Sequence, residues 1–243
     1  MKKLILMTTA AAITGTMAFA ESHSDVVRLG TEGAYPPYNF INDAGEVDGF
    51  ERALGDELCT RAELDCEWVT NDWDSIIPNL VSGNYDVIIA GMSITDERDE
   101  VIDFSQAYTQ PDPSAFAATA DADLSSAVIS AQTGTIQASY VASEMPGATL
   151  LEFANPEEAV AAVRNGEADA VLADKAFLLP ITEADGEMSF VGEDVLIGGG
   201  IGLGIRESDT ELKEKFDTAI QSMKDDGTLN TLITDMLPGS ATF

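Results

Sequence analysis

Short connections between residues 26 and 91 constrain this chain most, because they join segments that alternate between strand and helix character. Strand, helix, strand, helix, strand with loops this short is the pattern of a parallel α/β layer. Residues 26–31 alternate and run into Glu32-Gly-Ala-Tyr-Pro-Pro-Tyr-Asn-Phe40, a strand followed by a proline-stiffened loop, and Asn42-Asp-Ala-Gly45 marks a turn. Phe50, Leu54 and Leu58 form the i, i+4, i+8 stripe of an amphipathic helix over residues 50–61. Residues 67–70 read as the second strand. Asp74 is placed to cap a helix carrying Ile76, Ile77, Leu80 and Val81, which Gly83-Asn84 ends. Residues 86–90 are a compact apolar run between polar and glycine residues, which fits a strand buried inside a sheet.

That third strand ends at Gly91, where the backbone can be approached closely. Ser93 follows, and Thr95 reads as an N-cap with Asp96 and Glu97 in the first turn, where the helix dipole favours acids. Arg98, about one turn inside that helix, runs against the dipole. Beside a hydroxyl and strand-end amides, its guanidinium could clamp a carboxylate through two parallel hydrogen bonds. On the residues alone, a surface ion pair with Asp96 or Glu100 accounts for it equally well.

Thr109-Gln-Pro-Asp-Pro113 breaks the pattern, and a second, weaker α/β series follows. Its strands are read at residues 114–120, 128–131 and 168–173, the last leading to Asp174. A turn over Gln132-Thr-Gly-Thr-Ile-Gln137 enters a helix, and Asn155-Pro156 opens another that ends before Gly166. Gly198-Gly-Gly-Ile-Gly-Leu-Gly204 matches neither a dinucleotide fingerprint nor a P-loop and reads as a flexible crossing strand. An amphipathic helix over residues 212–223 is separated by Gly227 from a last short one. Crossings near residues 110–118 and 198–205 divide the chain into residues 21–112 with 203–243, and an inserted second lobe of residues 113–202.

Composition removes several function classes. Lys2 and Lys3, an apolar run over residues 4–17 and Ala18-Phe19-Ala20 form a cleavable leader, which predicts export to the periplasm with cleavage after Ala20. The net charge is −31, and more negative once the leader lysines are gone, so nucleic acid and anionic lipid are repelled. The single histidine, His23, lies just past the leader. That leaves no histidine for a catalytic triad or a histidine-built metal site, and no catalytic residue, metal ligand or cofactor is assigned. In an exported protein, the pair Cys59 and Cys66 reads as a disulfide stapling a helix end to the next strand.

Ala90-Gly-Met-Ser-Ile-Thr-Asp-Glu-Arg98, followed by Asp103-Phe104-Ser105, resembles the signature of the polar amino acid-binding proteins of bacterial ABC importers. The likeness extends over the whole chain after the leader. It implies an α/β, two-lobe periplasmic-binding-protein (Venus flytrap) fold of type II, with lobes joined by two hinge strands. It also implies a small amino acid ligand, ABC permease subunits as partners and a monomer. In such proteins the strand-end backbone (here Ala90 and Gly91) and Ser93 bind the ligand, and Arg98 holds its α-carboxylate. Thr31-Glu-Gly-Ala-Tyr-Pro-Pro-Tyr38 matches a second landmark, in which Tyr35 packs on the ligand side chain and Glu32 faces its distal polar group. Trp73 forms the other wall. On the residues alone, Tyr35 and Trp73 read as core and Glu32 as a solvated acid.

In the second lobe, the resemblance of the glycine turn implies that Thr135 and the Ile136 backbone meet the carboxylate, with Gln132 or Gln137 nearer the side chain. Asp174 corresponds to the acid that receives the α-ammonium; by itself it reads as a helix cap. Glu32, the aromatic walls and the cysteine pair together favour a basic ligand. The chain departs from the family pattern in Gly49-Phe-Glu-Arg-Ala53, where Gly-Phe-Asp-x-Asp is usual, and in Leu124-Ser-Ser-Ala127, which bears on the placement of residues 124–137. Exported cyclohexadienyl dehydratases resemble the same family, and are the enzyme alternative.

Overall fold

A computed structural model describes residues 26–243, so the leader and His23 lie outside the described residues. Two five-stranded sheets carry the chain. In the first, Cys66–Thr70, Val27–Thr31 and Val87–Ile88 run parallel, followed by Gly204–Ile205 antiparallel to its neighbours and Asp103–Phe104 at the edge. In the second the order is Thr149–Phe153, Val128–Gln132, Ala170–Asp174, Ser114–Ala118 and Ser189–Val195. Its first three strands are parallel and the last two pair antiparallel. A small antiparallel sheet of Ala34–Tyr35, Asn39–Ile41 and Val47–Asp48 projects from the end of the first strand. The chain passes from the first large sheet to the second between Phe104 and Ser114, and returns between Val195 and Gly204.

Each sheet has its own core, which is why the fold has two lobes. On one face of the first sheet, Phe50, Leu54 and Leu58 of the helix Phe50–Arg61 are wholly buried. Phe216, Ile220 and Met223 of Thr210–Asp226 and Leu229 and Ile233 of Thr228–Met236 join the same cluster. The opposite face is covered by Trp73, Ile76, Leu80, Tyr85 and Ile102. Gly30 lies in the middle of the first strand because a Cβ there would stand 2.6 Å from the Tyr85 ring. The second sheet is flanked by Ile136–Glu144, Pro156–Arg164 and Lys175–Asp185, with Ala117, Val160, Val163, Val171 and Phe177 on one side and Phe116, Ile129, Val141 and Leu172 on the other. Partly buried Tyr35 packs against a cluster of each lobe.

Several local expectations are corrected. Asp74 caps no helix; it lies inside a 3-10 turn, Trp73–Ser75, that leads into Ile76–Val81, whose N-cap is Ser75. The third strand is paired only at Val87–Ile88, and the strand expected at residues 114–120 stops at Ala118. The glycine-rich stretch forms no ladder before Gly204–Ile205; one bridge joins Ser93 and Ile201, and Gly199, Gly200 and Gly202 make backbone hydrogen bonds with Ile94 and Met92. Sequence reasoning does not find the short strands Ala34–Tyr35, Asn39–Ile41, Val47–Asp48 and Asp103–Phe104, nor the longer Thr149–Phe153 and Ser189–Val195. The cysteines form the disulfide Cys59–Cys66, with Cα atoms 6.3 Å apart, joining the end of Phe50–Arg61 to the start of Cys66–Thr70.

Candidate ligand-binding site

The C-terminal ends of the parallel strands in the two sheets face each other, where loops leave backbone amides and side chains free for a ligand. Glu32, Tyr35, Trp73, Ala90, Gly91, Ser93, Arg98, Gln132, Thr135, Ile136 and Asp174 line one cavity there, together with Gln137, enclosing about 340 Å³ including its mouth. The eleven residues singled out from sequence are thus brought together. Both glutamines left as alternatives are present.

Arg98 is placed by the one-turn helix Asp96–Asp99, which Thr95 caps by accepting from the Arg98 N–H at 3.2 Å. Its guanidinium donates to the Ser93 carbonyl at 2.9 Å and, across the cleft, to the Gly134 carbonyl at 3.3 Å. The guanidinium carbon lies 5.3 Å from the centre of the Trp73 ring. Two of five N–H donors are thereby used, which leaves a fork for an incoming carboxylate. Burial lowers its pKa to about 10, against the attraction of Asp174 and Glu97, so the charge persists at neutral pH.

Asp174 ends the strand Ala170–Asp174, and its side chain makes no cap for the helix Lys175–Asp185. One carboxyl oxygen accepts the Tyr35 hydroxyl at 2.8 Å and the other accepts Gln137 Nε2 at 2.9 Å. Ionised carboxylates offer about four acceptor positions, so an ammonium still finds room. Burial pushes this carboxyl up to about 6, the Tyr35 bond and Arg98 opposing and Asp112 adding to the shift. Burial likewise raises Glu32 to about 7, with the Gln132 bond opposing and nearby Asp72 adding. Glu32 accepts Gln132 Nε2 at 2.6 Å, another bond between the lobes.

Thr135 is the N-cap of Ile136–Glu144 and accepts from the Ala138 N–H, while its hydroxyl donates to the Gln132 carbonyl at 2.7 Å. Its side chain is therefore committed to the turn. The first-turn amides of a helix have no partner within it, so those of Ile136 and Gln137 supply donors at the cleft. Tyr35 departs from the simple role of a ligand wall: its ring stacks on Phe177 of the second lobe, centroids 4.4 Å apart and planes 6° apart. Sequence reasoning missed Phe177, because nothing local marks a stacking partner 142 positions away. It also missed Glu51, whose carboxylate accepts the Gly91 N–H at 2.6 Å from behind the site.

The sequence profile of the bacterial extracellular solute-binding proteins, family 3, matches residues 27–237. A periplasmic His/Glu/Gln/Arg/opine family-binding protein from Silicibacter pomeroyi, solved in complex with lysine, is 68% identical. It covers 90% of this chain and 100% of its own, with a TM-score of 0.87. The L-arginine-binding protein of Pseudomonas aeruginosa is 32% identical over 93% of each chain. The lysine/arginine/ornithine-binding periplasmic protein of Escherichia coli K12 is 30% identical over 96% of this chain and 95% of its own.

Proposed function

The chain belongs to family 3 of the bacterial extracellular solute-binding proteins, and from that premise we propose that it captures an L-α-amino acid with a cationic side chain and delivers it to an ABC importer. The observation that carries this is the placement of Arg98 and Asp174, opposite charges from different lobes, on one cavity. A zwitterion satisfies both only when the lobes are together. Arg98, the strand end at Ala90 and Gly91, Ser93 and the amides at Ile136 take the carboxylate, while Asp174 takes the ammonium. Binding energy then selects the closed form, which the permease recognises.

Glu32 receives the distal cation, with Tyr35 and Trp73 along the aliphatic stem and Gln132 and Gln137 holding the two acids in place. Aromatic faces suit methylene stems and attract cationic tips, at about 0.5–2 kcal/mol per contact. The lysine bound to the Silicibacter pomeroyi relative supports this ligand class. The moving units are residues 21–112 with 203–243, and residues 113–202. In this reading the protein acts as a periplasmic monomer after cleavage behind Ala20 and binds its ligand without turnover.

A thermal-shift screen of the mature protein, unfolded and refolded to strip carried-over ligand, tests the reading. Lysine, arginine or ornithine at one hundred times its dissociation constant adds about 2.7 kcal/mol, a shift of several degrees. Shifts with neutral amino acids alone would remove the cationic ligand, and turnover of prephenate would replace binding by catalysis.

A further inference from the structure

Glu51 lies in the first turn of Phe50–Arg61 and is completely buried. An acid in a helix first turn can favour the dipole from the exposed face, whereas burying a carboxylate costs several kcal/mol unless hydrogen bonds offset it. Three do so here, all from neutral donors. Oε1 accepts the Gly91 N–H at 2.6 Å and the Tyr108 hydroxyl; Oε2 accepts Asn39 Nδ2 at 2.7 Å. Asn39 in turn accepts the Gly33 N–H through Oδ1 at 2.7 Å.

The far ends of this network are the parts of the first lobe that move or meet the ligand. Gly91 and Gly33 have φ of 63° and 73°, left-handed turns that set the directions of their neighbours Ala90 and Glu32. Tyr108 lies on the outgoing crossing, and its N–H donates to the Ile201 carbonyl on the return crossing at 2.8 Å. Thr109, next to it, accepts the Ile201 N–H through its hydroxyl at 3.2 Å. One buried carboxylate therefore joins both cavity-forming turns of the first lobe to the pair of segments between the lobes. An apolar side chain of similar volume would fill the space and leave three buried donors unpaired.

We propose that Glu51 is a positioning residue for ligand capture: acting through Gly91, Asn39 and Tyr108, it holds the Glu32 turn and the Ala90–Gly91 strand end in register with the crossings. It does not touch the ligand. The inference rests on the amino acid-binding function proposed above.

Two variants test it in the refolded protein. Glu51→Gln replaces an acceptor with an amide that cannot take all three donors. Tyr108→Phe removes one donor and leaves the carboxylate two, which keeps the test open where Glu51→Gln fails to fold. Amide exchange and chemical shifts at Gly91 and Gly33 read the network directly by NMR, and calorimetry gives the lysine Kd. The expected result is faster Gly91 exchange in both variants, with affinity reduced about tenfold or more for Glu51→Gln and severalfold for Tyr108→Phe. Wild-type binding with unchanged Kd in the folded variants, even at lowered Tm, overturns the positioning role and leaves the functional reading intact. A wild-type protein that binds no amino acid overturns both.

Discussion

Two carboxyl groups of one cavity are raised for the same reason, burial: Glu32 to about 7 and Asp174 to about 6. Under the proposed function each receives a ligand cation, which holds it ionised, so protons and ligand compete. A group of pKa p weakens cation binding by a factor of 1 + 10^(p−pH). Between pH 8 and pH 5 that is about tenfold for Asp174 and about a hundredfold for Glu32. A neutral amino acid engages only Asp174 and loses about tenfold, whereas lysine engages both acids and loses about a thousandfold.

Isothermal titration calorimetry at pH 5, 6, 7 and 8 with the refolded protein measures both slopes, and repeating it with Glu32→Gln removes one of them. In that variant the lysine slope should collapse onto that of the neutral amino acid, with affinity for lysine reduced most at pH 8. The protein without added ligand reports the same groups with the opposite sense. Glu32 has its folded pKa above its unfolded one, so the folded state holds more protons between pH 4.5 and about 7. Its stabilising contribution is present at low pH and lost as pH rises through that window. Glu32→Gln should therefore raise Tm at pH 8 while weakening lysine. Parallel pH slopes for lysine and neutral ligands in the wild-type protein would refute the assignment of Glu32 to the distal cation.

Arg98→Lys keeps the charge but loses the fork, and should weaken every α-amino acid alike, by about a hundredfold in calorimetry; a loss confined to basic ligands would contradict its assignment to the carboxylate. Tyr35→Phe preserves the stack on Phe177 and removes the hydroxyl that Asp174 accepts at 2.8 Å. Affinity should fall by about 1–2 kcal/mol, read as Kd, with little change in far-UV circular dichroism. Replacing Cys59 and Cys66 by alanine opens a short loop remote from the cavity, lowering stability by about 2–3 kcal/mol in denaturant titrations while Kd stays the same.

How much of this was legible in sequence depended on whether a feature was local. Thr95 caps its helix as its position suggested, because a cap is decided within four residues. Phe50, Leu54 and Leu58 could be read for the same reason: one helical face meets one core. Ser189–Val195 could not, since it is an edge strand with Ser189, Glu193 and Asp194 exposed, and an edge imposes no alternation on its residues. The cap expected at Asp74 fails because Asp74 lies inside the 3-10 turn Trp73–Ser75, whose Trp73 is buried in the first lobe's core.

The cavity is the opposite case. None of its residues is distinctive alone, and Arg98, Tyr35 and Asp174 each had an ordinary structural explanation until the family signature set them side by side. A signature of that kind records which positions converge, but not what each convergence costs. Tyr35 is at once a stacking partner for Phe177, a donor to Asp174 and a wall of the cavity, so the group that closes the cleft also orients the acid to which the proposed function assigns the ammonium. Arg98 makes a second cross-cleft bond, to the Gly134 carbonyl, and Glu32 a third, from Gln132. Each cross-cleft bond pre-assembles the closed arrangement and leaves further donor or acceptor positions on the same group for a ligand. Under the proposed function, affinity then depends on how well these bonds hold the remaining positions for the zwitterion, which is set by three-dimensional placement rather than by residue type.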